Sequence, residues 1–112
     1  MQRHCFALDL KDDPELIAAY KAYHVKGWPE VLESIRAAGI TVMDIYLTGN
    51  RMFMIMEVKE NFSFENKAQA DLNNEIVQQW EQLMWKHQQA LPFAKPGEKW
   101  VLMDKIFTLP AN

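Results

Sequence analysis

Residues 40–58 read "ITVMDIYLTGNRMFMIMEV". Two runs of β-branched, aromatic and other apolar residues flank "TGNR", a turn signal, so the stretch predicts a β-hairpin with strands over 40–48 and 52–58. The first strand is mixed. Val42, Asp44 and Tyr46 share one side, opposite Thr41, Met43, Ile45 and Leu47. The second strand is apolar at nearly every position, so both of its faces want cover.

What lies on either side of the hairpin sets the fold. Residues 3–10 alternate, with His4, Phe6, Leu8 and Leu10 against Arg3, Cys5, Ala7 and Asp9, which is the period of a strand. "KDDPE" breaks it. Asp13 is placed to cap a helix and Pro14 to begin one, running to about Lys26. Gly27 ends that helix, and Pro29 starts a second through Val31, Leu32, Ile35 and Ala38, closed by Gly39. After the hairpin, residues 64–73 predict a weaker helix. Glu75 to about Leu91 predicts a stronger one, with Ile76, Val77, Trp80, Leu83, Met84 and His87 at helical spacing. "LPFAKPGEKW" is a loop, and residues 100–108, "WVLMDKIFT", predict a closing strand. Strand, helices, hairpin, helices, strand is the β-α-β-β-α-β ferredoxin-like arrangement, an α+β fold. Helices on one face of a four-stranded sheet leave the other face bare. A bare apolar face is uncommon in a monomer, so a homodimer packed sheet on sheet is expected.

The chain has 112 residues and a mass of 13.1 kDa, which suits one domain over 1–112. Hydrophobic residues make up 49% and charged residues 24%, a globular balance. A net charge of −3 without a basic run argues against nucleic acid as a partner. Residues 1–10 lack the apolar core of a signal peptide, and nothing approaches the ~20 apolar residues of a membrane span. A lone cysteine, Cys5, forms no internal disulfide, which points to the cytoplasm.

Candidate chemistry gathers in "AYKAYHVKGWPEV", residues 19–31. Tyr20 and His24 lie one helical turn apart on one face. A histidine can give or take a proton near neutral pH; the plainer account is a helix face covering the sheet. Tyr46 beside Asp44 suits a sugar, whose C–H faces stack on rings and whose hydroxyls need polar partners; the plainer account is a tyrosine in solvent. Trp80 reads first as core and Glu81 as a solvated charge, yet two tryptophans on one helix suggest an aromatic-lined cleft. His4, His24 and His87 fall in separate elements, so no metal site is expected. No phosphate-binding or nucleophile motif is present, and no cofactor is expected.

Taken together, "RHCFALDL", the Y-x-x-x-H of Tyr20 and His24, "WPE" at 28–30, "IYL" at 45–47, the helix around Trp80 and "DKIFTLP" resemble the L-rhamnose mutarotase family over nearly the whole chain. The resemblance implies a dimeric α/β barrel of ferredoxin-like subunits acting on a 6-deoxy-hexose. It implies His24 as proton donor and Tyr20 and Tyr46 as substrate-binding tyrosines. The family's two adjacent substrate-contacting tryptophans fall on 80 and 81. Here Trp80 matches, but position 81 is Glu, which brings L-fucose forward beside L-rhamnose as the sugar. Anomer exchange needs one proton delivered to the ring oxygen and another removed from the C1 hydroxyl. His24 is assigned to the first step, with Tyr20 orienting substrate or relaying a proton. For the second step Glu81, Asp44 and water stay open. A small dimeric monooxygenase and a non-catalytic sugar-binding module are the rival readings, because a fold alone does not fix chemistry.

Overall fold

The computed structural model describes residues 2–112. In chain order the elements are β1 (Gln2–Leu10), α1 (Pro14–Lys26), α2 (Pro29–Ala37), β2 (Ile40–Thr48), β3 (Arg51–Val58), α3 (Phe64–Leu72), α4 (Glu75–Trp85), β4 (Gln88–Gln89) and β5 (Val101–Leu102). The sheet runs β2-β3-β1-β4, with β5 also paired to β1, and every pairing is antiparallel. This is the expected ferredoxin-like order, with the hairpin on one side and the N-terminal strand inside.

The register sorts the sheet into two faces. Met54 lies opposite Phe6 on one side and Ile45 on the other, and Met52 lies opposite Leu8 and Leu47. Directly opposed residues share a face. That face therefore carries Phe6, Leu8, Ile45, Leu47, Met52, Met54 and Met56. It is the helix-covered one: Leu8, Leu10 and Met52 are essentially inaccessible, and Tyr20 and Met84 close over them from α1 and α4. The second face carries Cys5, Ala7, Phe53 and Ile55, all half-buried, with Asp44 and Tyr46 exposed beside them. Two cross-strand ion pairs bracket its apolar centre, Arg3–Glu57 at 3.1 Å and Arg51–Asp9 at 2.8 Å.

The helix starts follow the sequence. Asp13 Oδ1 accepts from the backbone N–H of Glu15 at 2.9 Å and of Leu16 at 3.3 Å, with Pro14 leading α1. Asn74 caps α4 in the same way through Ile76 and Val77. Gly27, with φ +69° and ψ −178°, occupies a backbone region open in practice only to glycine, and it separates α1 from α2 without a spacer.

Two expected elements are shorter than their patterns. α4 stops at Trp85 rather than near Leu91. The chain leaves the helix so that Gln88 and Gln89 pair with Leu10 and Asp9, and the Lys11 N–H donates to the His87 carbonyl at 2.8 Å. His87 and Leu91 are buried all the same, so the apolar rhythm runs on after the helix has ended. The closing strand of 100–108 reduces to Val101–Leu102 and one further bond, Met103 N–H to the Cys5 carbonyl at 2.8 Å. Beyond it Ile106, Phe107 and Leu109 are 95%, 72% and 79% exposed. Those residues have strand propensity, but nothing in a single chain packs over them, and packing is what holds a strand.

Leu8→Ala empties a site at the centre of the packed face and should lower stability by about 2–5 kcal/mol, read as a shifted midpoint in urea at unchanged slope.

Candidate functional site

The covered face of the sheet and the helices enclose a cleft of about 1080 Å³. Met52, Met54 and Ile45 form its floor, α1 gives Tyr20 and His24, α4 gives Trp80 and Glu81, and Gln88 closes one end. The volume is at the upper end for a small-molecule site, and the lining is mostly apolar with a few convergent polar groups.

Tyr20 and His24 share a face of α1, with ring centroids 4.5 Å apart. The Tyr20 side chain is only 4% exposed, and its phenol oxygen accepts from Gln88 Nε2 at 3.0 Å. His24 Nδ1 lies 2.8 Å from the Tyr20 backbone carbonyl. A carbonyl only accepts, so Nδ1 carries a hydrogen and Nε2 is the nitrogen left for exchange chemistry. Trp80 meets the His24 ring edge-on at 5.4 Å, and Trp28 meets Trp80 at 5.1 Å. Tyr20, His24, Trp80 and Trp28 thus form one continuous line of rings.

Trp28 reads from sequence as a hinge before Pro29, since a helix break should throw it off the face. It is at the hinge, capping α2 in an extended conformation (φ −98°, ψ 127°), but the turn at Gly27 brings its indole back against Trp80. Tyr23 is 39% exposed, with its ring edge-on to His87 at 5.7 Å.

Glu81 is half-buried in the cleft wall, and its carboxylate accepts from Gln78 Nε2 at 3.3 Å. The Lys67–Asp71 ion pair, 2.6 Å long, lines the same wall. Tyr46 borders the cleft but is 58% exposed, and its register opposite Phe53 sets it on the other face from Ile45. β2 is an edge strand, so a residue of either face can reach the lip. Tyr20, His24, Trp80 and Glu81 are therefore brought together, while Tyr46 and Asp44 stand outside that group. Trp28 and Gln88 belong to the site without having been expected there. For Trp28 the spacing of four from His24 was a signal, which the glycine and proline beside it argued against; for Gln88 the sequence held none.

Burial raises the Tyr20 phenol above its usual pKa of 10.0, and the Gln88 hydrogen bond offsets part of that rise. The phenol is thus a firmly protonated donor. Rings for C–H faces, a protonated phenol, an imidazole with one free nitrogen and a carboxylate together suit proton transfer on a small polyol.

The profile of a family described as L-rhamnose mutarotase matches residues 3–109. An "L-fucose mutarotase" of Xanthomonas campestris pv. campestris is 45% identical over 111 residues, covering 97% of this chain and 89% of that protein. A "UPF0734 protein" of Dictyostelium discoideum is 38% identical over 109 residues, covering 92% of this chain and 86% of its own. Among solved structures, an L-rhamnose mutarotase from Formosa agariphila superposes with a TM-score of 0.71 at 22% identity, covering 98% of this chain and 100% of that one. Tetracenomycin F2 cyclase, a type-II polyketide cyclase from Streptomyces glaucescens, superposes with a TM-score of 0.64 at 14% identity over the full length of both chains. At those identities the two structures speak for the fold alone.

A phenol with a raised folded-state pKa stabilises the fold fully below the unfolded value near 10, and that contribution is lost as pH climbs through the folded value. Tyr20→Phe should therefore flatten the fall of stability above pH ~10, measured by urea midpoints along an alkaline series.

Proposed function

The chain belongs to the L-rhamnose mutarotase family, and we propose that it is an isomerase interconverting the alpha and beta anomers of a 6-deoxy-L-hexose, with L-fucose first and L-rhamnose second. The line of Tyr20, His24 and Trp80 along one wall of the cleft carries the proposal, in a chain 45% identical to an L-fucose mutarotase. Glu81 in place of a second tryptophan supports putting L-fucose first, because a carboxylate can accept a sugar hydroxyl where an indole face would only stack.

Exchange begins from the imidazolium form of His24, with both ring nitrogens protonated: the Nε2 proton passes to the ring oxygen as the bond from C1 to that oxygen breaks, leaving the neutral Nδ1–H imidazole. The C1 hydroxyl loses its proton to a base, leaving an open-chain aldehyde. Rotation about C1–C2 presents the other carbonyl face. The ring oxygen then attacks C1 and returns its proton to Nε2, while the base returns the other to the new C1 oxygen. Only protons move, so no redox or nucleotide cofactor is called for. The Nδ1–H bond to the Tyr20 carbonyl holds the imidazole in orientation throughout. For the base, Glu81 and Asp44 both border the cleft, and Glu81 is the better placed: it is half-buried next to Trp80 on α4, whereas Asp44 is exposed on the other side of the edge strand. Trp80 and Trp28 offer stacking surface, and Tyr46 at the lip has the position of a residue that closes over bound sugar.

The working form is a homodimer in the cytoplasm. Phe53, Ile55, Ala7 and Cys5 form an apolar centre framed by two ion pairs, the composition of an interface. The exposed run Ile106–Leu109 asks for the same cover. Among the described residues no helix is long and apolar enough to cross a membrane.

In exchange NMR on L-fucose and L-rhamnose anomers, His24→Ala should lose about 10²–10⁴-fold in rate while keeping its circular dichroism; wild-type exchange in that variant would remove His24 from the mechanism. Glu81→Trp should move the fucose-to-rhamnose ratio of kcat/KM, and an unchanged ratio would return Glu81 to a solvated charge. Sedimentation at micromolar concentration should find a dimer, and truncation after Met103 should weaken it; a wild-type monomer would overturn the dimer.

A further inference from the structure

Gln88 has no part in the steps above, yet among the described residues it is one of few buried polar side chains, 6% exposed. It sits in a two-residue strand, and its pairing with Leu10 turns it to the covered face of the sheet. There its Nε2 meets Tyr20 Oη at 3.0 Å, across 68 residues of sequence. Burying an amide is unfavourable unless its hydrogen bonds are made, and an apolar residue would fill the volume without that penalty.

The polarity of the contact carries the inference. A phenol oxygen has one proton to give and lone pairs to receive with. Because the amide N–H takes a lone pair, the phenol's own proton is not spent on Gln88. No other group among the described residues bonds to Oη, and Tyr20 and Gln88 both line the cleft. An acceptor at position 88 would do the reverse, drawing the phenolic proton inward and turning lone pairs toward the cleft.

We propose that Gln88 is the positioning residue of this site, donating to Tyr20 Oη and so fixing the phenol as a hydrogen-bond donor to the sugar beside His24. The role rests on the mutarotase reading, but the wiring itself can be tested without it. Gln88→Glu keeps the shape and replaces the donor with an acceptor. Gln88→Met keeps the length and removes both. The titratable rings beside Tyr20 are His24 of α1, centroid distance 4.5 Å, and His87 beyond α4, 6.2 Å. Tyr20→Phe serves as the blank that subtracts everything except the Tyr20 phenol.

Two measurements decide it. In exchange NMR, Gln88→Met should lose about tenfold and Gln88→Glu about a hundredfold in kcat/KM, the latter falling to the level of Tyr20→Phe, chiefly through kcat. In a near-ultraviolet tyrosine titration, the Tyr20 phenol should ionise at higher pH in Gln88→Met than in wild type, because an N–H that stabilised the phenolate is gone. Variants within about twofold of wild-type kcat/KM would overturn the role, and so would an unmoved phenol titration. Should Gln88→Glu fail to fold, Gln88→Met carries both readouts. Should the wild-type protein fail to accelerate anomer exchange, the mutarotase reading falls, and the titration alone decides whether Gln88 donates to Tyr20.

Discussion

The end of β1 is held from two sides, and the site hangs from that grip. The Leu10 N–H donates to the Asn50 carbonyl at 2.7 Å, and Asn50 Nδ2 donates back to the Leu10 carbonyl at 2.9 Å. On the other edge Leu10 pairs with Gln88, and Lys11 bonds to the His87 carbonyl. The hairpin turn is thereby pinned to Leu10, and the exit from α4 to Leu10 and to Lys11 just past the end of β1. Leu8 and Leu10 are fully buried because both flanks are closed. The apolar face this creates is what α1 covers, and covering it fixes the height at which Tyr20 and His24 sit above the floor. Backbone groups buried this deeply must find partners, so the register has little freedom to slip.

Local chemistry and long-range pairing divide the work unequally. Asp13, Pro14, Pro29 and Gly39 are legible as caps and stops because each acts on its immediate neighbours. The hairpin, the alternation of β1 and the ferredoxin-like order are legible for the same reason: periodicity is a local property that topology then uses. The end of α4 was not, because His87 and Leu91 keep the apolar rhythm after the helix hydrogen bonds have stopped. The last strand reads as a strand through Phe107, and a single chain offers it no packing surface. In both places the sequence records burial or propensity, and the partner that decides the outcome lies elsewhere.

The site shows the same split. Tyr20 and His24 are visible as a pair because one helical turn relates them, and Trp80 and Glu81 because they sit on one strongly periodic helix. Trp28 is hidden by a reasonable inference, that a glycine and a proline end a shared face. The unusual backbone of Gly27 restores the face by a route that spacing cannot show. Gln88 is hidden entirely, since its partner is 68 residues away and one of two adjacent glutamines looks like any other. Asp44 and Tyr46 show what composition leaves out. Their residue types suit a sugar, but strand parity and the edge position of β2 set them at the border of the cleft rather than in the line of rings.

The floor of the cleft has a consequence of another kind. Met52 and Met54 lie there, with Met56 further along the same covered face. Thioether side chains are unbranched and polarizable, and they reshape to fit a methyl group in more than one orientation. Two deoxysugars that differ in stereochemistry could rest on such a floor where branched side chains would discriminate between them. Sulfur can be oxidised where leucine cannot, and burial is what shields Met52 and Met54, 1% and 8% exposed. Conversion of Met54 to its sulfoxide would set a polar, chiral oxygen beneath the ring line, in a packed layer with no donor built to receive it. An adaptable floor and an oxidisable one thus come from one choice of side chain.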